Sequence, residues 1–268
     1  MKRIALLLYV LMAAPLFAGK WDEMNYGPYL THSLEVPGAG IVNKSIAIRL
    51  DVADGGKGGF AKGQAFMLYD TDLLNCTAGW TGGSIDWRGI AFDGRHNAHA
   101  SIRGTQAFAN PVNPGWRSPQ GKWEDTVRVR GLDKKPYGPL PRAWAHYKGL
   151  YVHGNKVVLS YTVGARGVFE MPSLHGENVF IRNLHIAPGT SEIVMQVAQG
   201  TDAKPLDGSR NIVQIAGAKP NENVIAAAVL GDTGLWDLAD GKNLRLRIPA
   251  ATKAHRLRVL IWNGPANT

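Results

Sequence analysis

The chain has 268 residues, of which 45% are hydrophobic, and it carries a formal net charge of +9 at pH 7. This length and apolar content suffice for one large domain or two small ones with a sizeable core. The 32 glycines and 15 prolines favour many turns over long helices, and the only cysteine, Cys76, excludes an intrachain disulfide.

The first 18 residues have the pattern of a signal peptide. Lys2 and Arg3 form a short positive region, residues 4–17 are uncharged and largely apolar, and polarity returns at Lys20. The apolar run is shorter than the about 20 residues that cross a bilayer, and no later stretch is long and apolar enough to do so. We therefore expect a mature chain from about residue 19, in the periplasm or outside the cell, with no membrane segment. An uncleaved N-terminal anchor is the alternative.

Short strands are predicted along most of the mature chain. Alternating or apolar runs lie at 45–51, 65–69 and 85–92, and the pattern resumes after residue 150 between turn signals. The later runs span 157–163, 179–186, 193–198, 212–215, 224–230, 244–248 and 257–262. Strands of this length and spacing predict an all-β fold, an antiparallel β-sandwich, with part of a β-propeller as the alternative.

The segment from residue 93 to residue 147 differs from the strands on either side. It is rich in Gly, Pro, His, Trp and Arg, and five of the eight tryptophans fall between Trp80 and Trp144. Such a long loop inside a compact domain is either functional or disordered, and its aromatic content argues against disorder. We expect a single β-sandwich-like domain over residues 19–268, with 93–147 as an ordered, irregular loop region over one end of the sheets.

The tryptophan-rich region predicts a ligand-binding site. Trp80, Trp87 and Trp144 are candidates for an apolar wall on which sugar rings could stack, and Asp86 and Arg88 share one face of a strand and could bind hydroxyl or acidic groups. The alternative is that the tryptophans only pack the loop region onto the sheets.

Two weaker patterns contain residues that bind metals. Asp70 and Asp72 place hard oxygen ligands two residues apart, as calcium loops do, and His96 and His99 are three residues apart. Neither pattern supplies a complete ligand set. Turn or capping roles for the aspartates, and hydrogen-bonded loop roles for the histidines, are the alternatives.

One segment has the residue types of a polysaccharide lyase. His146, Tyr147 and Lys148 could act as a base, an acid and a cation that neutralises a uronate carboxylate, although on a strand Tyr147 would face away from the other two. The sequence has no Gly-x-Ser-x-Gly, P-loop, dinucleotide fingerprint or zincin helix. Glycosidases and lyases remain open, because their catalytic groups converge only in the fold.

The excess of basic residues indicates an anionic partner. A basic surface attracts nucleic acid, acidic lipid or acidic polysaccharide, and export makes nucleic acid the poorest of these. The basic residues are scattered along the chain, so a role in solubility alone is the alternative.

Several long phrases carry a family resemblance, namely those over residues 21–29, 44–50, 69–74, 85–93 and 137–151. Together they resemble an uncharacterised N-terminal domain of large exported bacterial proteins, which commonly continue into β-rich modules and a c-type cytochrome or other haem-binding module. The resemblance implies no catalytic residue. It does imply a haem-bearing or β-rich module as a partner, while this chain lacks Cys-x-x-Cys-His and is expected to hold no covalent haem and no other cofactor.

These observations predict an exported domain that recognises a ligand or a partner module, with a carbohydrate as the first choice of ligand. A carbohydrate-active enzyme, a lyase or hydrolase acting on an acidic glycan, is the main alternative. A structural spacer is the third.

Overall fold

The computed structural model confirms the all-β prediction. It describes residues 23–88, 99–206, 211–216, 223–232 and 234–265. Strands account for 57% of the described residues, which contain no α-helix, and a short 3-10 turn lies at Phe60–Lys62. Consequently, none of the described residues forms a helix that could cross a membrane. The predicted signal peptide and His96 lie outside the described residues.

Twenty strands lie within the described residues. They are β1 Tyr29–Val36, β2 Gly40–Arg49, β3 Ala65–Asp70, β4 Asn75–Thr81, β5 Ile85–Asp86, β6 Ala100–Ile102, β7 Thr105–Ala109, β8 Val129–Arg130, β9 Pro136–Tyr137, β10 Ala145–His153, β11 Lys156–Val163, β12 Arg166–His175, β13 Val179–Ile186, β14 Ile193–Gln199, β15 Thr201–Pro205, β16 Ile212–Ala216, β17 Val224–Gly231, β18 Leu235–Asp237, β19 Asn243–Ile248 and β20 His255–Gly264.

The strands assemble into two large sheets and two small ones. One large sheet has the order β5-β6-β1-β2-β3-β4-β7, and the other has the order β10-β11-β12-β13-β20-β17-β16-β15. β14-β19-β18 and β8-β9 form the small sheets. Neighbours are antiparallel, apart from the parallel pair of β1 and β6. These sheet sizes do not fit the four-stranded blades of a propeller.

Strand β3 shows why both faces of the seven-stranded sheet are apolar. Met67 and Tyr69 belong to the main core, whereas Phe66 and Leu68 belong to a second core on the other side. Since successive side chains of a strand point to opposite faces, a continuous apolar run fills both cores. Cys76 lies in the main core, where burial raises the pKa of its thiol to about 12. It is therefore mostly protonated at neutral pH and a poor nucleophile.

A buried ion pair links three sheets. Glu170 of β12 accepts hydrogen bonds from Arg182 of β13, with Nε at 2.6 Å and Nη2 at 3.1 Å. The hydroxyls of Tyr69 and Tyr161 donate to the same carboxylate at 2.8 Å and 2.6 Å. Arg182 Nη1 donates to the carbonyl of Gln196 on β14 at 3.2 Å. The carboxylate is therefore fully satisfied at the place where the sheets meet.

The segment over residues 93–147 contributes short strands and long irregular stretches. In its described part, Trp116 is buried and forms an isolated bridge with Met195 of β14. Trp123 lies under the guanidinium of Arg245, 4.5 Å from the ring centre. The segment is thus anchored to the three-stranded sheet.

Candidate functional site

Two of the predicted ligand-binding tryptophans lie in the interior. Trp80 is 0% exposed, stacks on Phe66 with ring centres 5.1 Å apart, and donates its indole N–H to the carbonyls of Gly83 and Ser84. Trp144 is also buried, and its indole N–H donates to the carbonyl of Trp116 at 2.8 Å. Both side chains pack the fold, and Trp80 offers no face to a ligand.

Trp87, the third predicted tryptophan, is half-buried, and the neighbouring Asp86 and Arg88 already form hydrogen bonds within the chain. Trp87 contacts the ring of His32 edge-on, with ring centres 5.2 Å apart. Asp86 accepts the backbone N–H of Arg88, whose guanidinium donates to Glu35 at 2.5 Å. Arg88 is therefore neutralised by a carboxylate within the chain, and this cluster has less capacity for an acidic ligand than its sequence indicated.

Asp70 and Asp72 lie in a cleft of about 490 Å³, which Lys44, Arg128 and Lys135 also line. Burial raises the pKa of Asp70 to about 6. Its carboxylate accepts the backbone N–H groups of Asp72 at 2.8 Å and of the following leucine at 3.1 Å. This geometry is that of a turn cap, the alternative reading of this pattern.

The described residues contain no group of three side chains that could hold a metal ion. His99 Nδ1 lies 3.3 Å from the hydroxyl of Ser33. His96, the other member of the predicted pair, lies outside the described residues.

The candidate lyase residues lie on β10 and do not converge. Tyr147 packs against the main core, and burial raises the pKa of its hydroxyl. His146 is opposite Thr162 in the register, and a bulge follows Tyr147 around Lys148. A tyrosine with a raised pKa is harder to ionise, so this arrangement does not favour the predicted chemistry.

A different candidate site is an open groove on the outer face of the eight-stranded sheet. The groove has a volume of about 660 Å³. Its side chains come from β11, β12, β13, β17 and β20, and they alternate with residues that fill the main core on the other face. We call it the sheet-face groove; its outward-facing lining residues are Val158, Phe169, Met171, Asn183, His185, Leu230, Arg256 and Arg258.

Strand register places these side chains in rows across the sheet. Phe169 of β12 pairs with His185 of β13, which pairs with Arg256 of β20. In the next row, Asn183 pairs with Arg258. Directly opposite residues have their Cβ atoms about 5 Å apart, so each row is a continuous strip of side chains.

The first row is aromatic and exposed. Phe169 is 44% exposed, and its ring is nearly parallel to that of His185, at 12°, with centres 6.5 Å apart. Tyr151 of β10, which is 62% exposed, lies diagonally across β11 from Phe169, with its ring centre 6.1 Å from that of Phe169. Contiguous exposed apolar surface of this kind marks a binding site more often than scattered single residues do.

The end of the row toward β20 is cationic. Arg256 and Arg258 are exposed, and within the described residues neither guanidinium has an ion pair or a side-chain hydrogen bond. Asp232 is nearby, but its carboxylate accepts the backbone N–H of Arg256 at 2.7 Å. None of the described residues that line the groove is acidic. The groove therefore combines aromatic rings with uncompensated positive charge.

Comparison with protein families gives one match. A family model described as Domain of unknown function (DUF6797) matches residues 67–170, which is less than half of the chain. The match supports the resemblance to an uncharacterised domain and gives no information on export or haem modules. No curated protein matches the chain.

Solved structures with a similar arrangement of strands are distant. YidC from Thermotoga maritima has a TM-score of 0.40 at 13% identity over 89% of this chain and 51% of its own. A heparinase III gene product has a TM-score of 0.40 at 10% identity, over 88% of this chain and 36% of its own. A heparan sulfate lyase HepC mutant from Pedobacter heparinus has a TM-score of 0.36 at 14% identity, over 90% of this chain and 36% of its own. The chain thus spans about half of the first protein and about a third of the two others. At these scores the likeness does not assign a function.

Proposed function

We propose that this chain is a recognition domain that binds an acidic polysaccharide along the sheet-face groove. The observation that carries the proposal is the row of Phe169, His185 and Arg256 across three neighbouring strands, with Arg258 beside it. The proposal keeps the predicted class of ligand and moves the site from the tryptophan-rich loops to the sheet.

The exposed aromatic side chains at this end of the row suit sugar rings. A pyranose ring has an apolar C–H face, and flat side chains such as Phe169 and Tyr151 offer large apolar surfaces that lose little side-chain entropy when a ligand covers them. The two rings are already exposed, so binding would remove apolar area from water without rearranging the core.

The arginines give the preference for acidic sugars. A guanidinium forms two parallel hydrogen bonds with a carboxylate or sulfate group, and such charge-assisted bonds are roughly twice as strong as neutral ones. Since no carboxylate of the described chain neutralises Arg256 or Arg258, a ligand anion would not have to displace an internal partner.

The groove favours binding over hydrolysis. Most glycoside hydrolases place two carboxyl groups on either side of the scissile bond. The described groove residues include no Asp or Glu. A shallow site on a rigid sheet, open along the rows, also suits a segment of a polymer better than an enclosed small molecule.

The proposal places the protein outside the cytoplasm. It is supported by the signal-peptide pattern of residues 1–18. An accessory role beside a haem-bearing or β-rich module is the second context that we propose, and it is supported only by the family resemblance.

The test is a binding measurement with the mature chain against sulfated and uronate polysaccharides, with neutral dextran as the negative ligand. Replacing Arg256 and Arg258 with alanine should weaken binding at least about tenfold, because each charged hydrogen bond contributes about 1.5–3 kcal/mol. The matched control replaces Arg103 and Arg142, two exposed arginines outside the groove, and changes net charge by the same amount.

The two double variants decide between a site and a general charge effect. If the control loses as much affinity as the groove variant, net charge alone explains binding and the proposal is wrong. Equal binding of dextran and the acidic polymers would also contradict it.

A further inference from the structure

The structure contains a further pocket that shares no lining residue with the sheet-face groove. It has a volume of about 540 Å³ and is lined by residues 117–119 and 121, by the turn between β11 and β12, and by residues 189–194. Trp144, Val163 and Ile193 supply apolar wall. We call it the Arg166 pocket, because Arg166 also lines it.

Arg166 is a buried cation that has no counterion among the residues that the structure describes. It is only 2% exposed, and its Nε and Nη1 donate to the carbonyls of Ala187 at 3.0 Å and Pro249 at 2.9 Å. Its Nη2 has no hydrogen-bond partner among the described residues. A buried charge that is not paired is costly, and burial accordingly lowers the pKa of Arg166.

Among the described residues that line the pocket, the one acidic side chain is already neutralised. Glu192 accepts hydrogen bonds from Arg117 at 3.0 Å and from Arg247 at 2.8 Å, and these two arginines hold the pKa of its carboxyl low. Glu192 is therefore paired with Arg117 and Arg247, and among the described contacts no ion pair joins it to Arg166.

The backbone at Gly189 leaves room for the side chain of Arg166. A Cβ atom at Gly189 would lie 2.5 Å from Cγ and 2.7 Å from Cδ of Arg166, which is closer than real contacts allow. Together with the carbonyls that accept from Arg166, this glycine fixes the side chain beside the pocket. A fixed, buried and partly unsatisfied donor is what a binding site for an anion requires.

We propose that the Arg166 pocket binds a small organic carboxylate whose body is about the size of one ring. The carboxylate would supply the missing counterion of Arg166, and the apolar walls would hold the ring. The volume lies in the range of about 300–1,000 Å³ typical of small-molecule sites, and it exceeds what an inorganic anion fills. The site is independent of the polysaccharide groove.

The test is calorimetric titration of the mature chain with benzoate and glucuronate, using benzyl alcohol, glucose and sulfate as comparison probes. At least one of the carboxylates should bind with a Kd of about 1 mM or tighter. Arg166→Lys should weaken this binding at least tenfold, since lysine keeps the charge but loses the planar pair of donors. The groove variant lacking Arg256 and Arg258 should bind the carboxylate unchanged.

A second variant tests the proposal without changing Arg166, in case Arg166→Lys does not fold. Thr190 is an exposed pocket residue, so Thr190→Trp should fill the pocket and abolish binding while the melting temperature is retained. Absence of saturable binding, equal binding of the neutral probes or sulfate, or undiminished binding by Thr190→Trp would each overturn the proposal.

Discussion

The ion pair at the junction of the sheets makes a quantitative prediction about stability. In Glu170→Gln the shape of the side chain is kept, but Arg182 is left buried without a counterion, and the hydrogen bonds from both tyrosines lose a charged acceptor. Breaking a buried pair in this way costs about 3–5 kcal/mol. For a chain of this size we expect a decrease in Tm of roughly 6–20 °C.

The assay is urea unfolding at pH 7, followed by circular dichroism, on Glu170→Gln and on the cycle formed by Glu170→Leu, Arg182→Met and Glu170→Leu/Arg182→Met. Replacing both partners removes the uncompensated charge, so the double variant should be more stable than the sum of the single losses predicts. The reasoning is refuted if Glu170→Gln unfolds within 1 kcal/mol of the wild type, or if the losses simply add.

Two further predictions concern the different roles of Phe169 and Trp80 and the titration of the buried carboxyl of Asp70. Phe169→Ala should weaken polysaccharide binding with little loss of stability, because Phe169 is exposed. Trp80→Ala should lower the free energy of unfolding by about 3–5 kcal/mol and leave the affinity per folded molecule unchanged. Thermal melts and titrations that show the reverse pattern would contradict this. Burial raises the pKa of Asp70 from 3.8 to about 6, so the stability that its protonated form contributes is present below about pH 4 and is lost as pH rises through 6. Relative to Asp70→Asn, the wild type should lose roughly 3 kcal/mol over that interval in urea unfolding, and identical pH profiles would exclude a raised pKa.

Local patterns predicted the strands well. The run at 157–163 lies within β11, and the run at 224–230 lies within β17. Both alternate between core and surface, so the periodicity of the sequence contains the signal. The strand β12 was not predicted. In β12 the alternation of apolar and polar residues is interrupted by Gly167, Pro172 and Glu170. Glu170 is buried, but in the sequence a charged residue indicates a surface position.

The sheet-face groove could not be predicted from local patterns. Phe169, His185 and Arg256 meet only because β13 pairs with β20 across a long sequence separation, and register is a property of the assembled sheet. Trp80 was predicted as a ligand contact because residue type alone does not tell which side of a strand is covered. In β4 both sides are covered, so an indole that looks available in the sequence lies in the core.

The most direct test of the proposed function is a nuclear magnetic resonance titration of the labelled mature chain with an acidic oligosaccharide. The account predicts saturable shifts centred on Phe169, His185, Arg256 and Arg258, and smaller shifts at higher salt because exposed charges are screened. Shifts centred on Trp87 and the loops around it, or the absence of any shift at low salt, would contradict it.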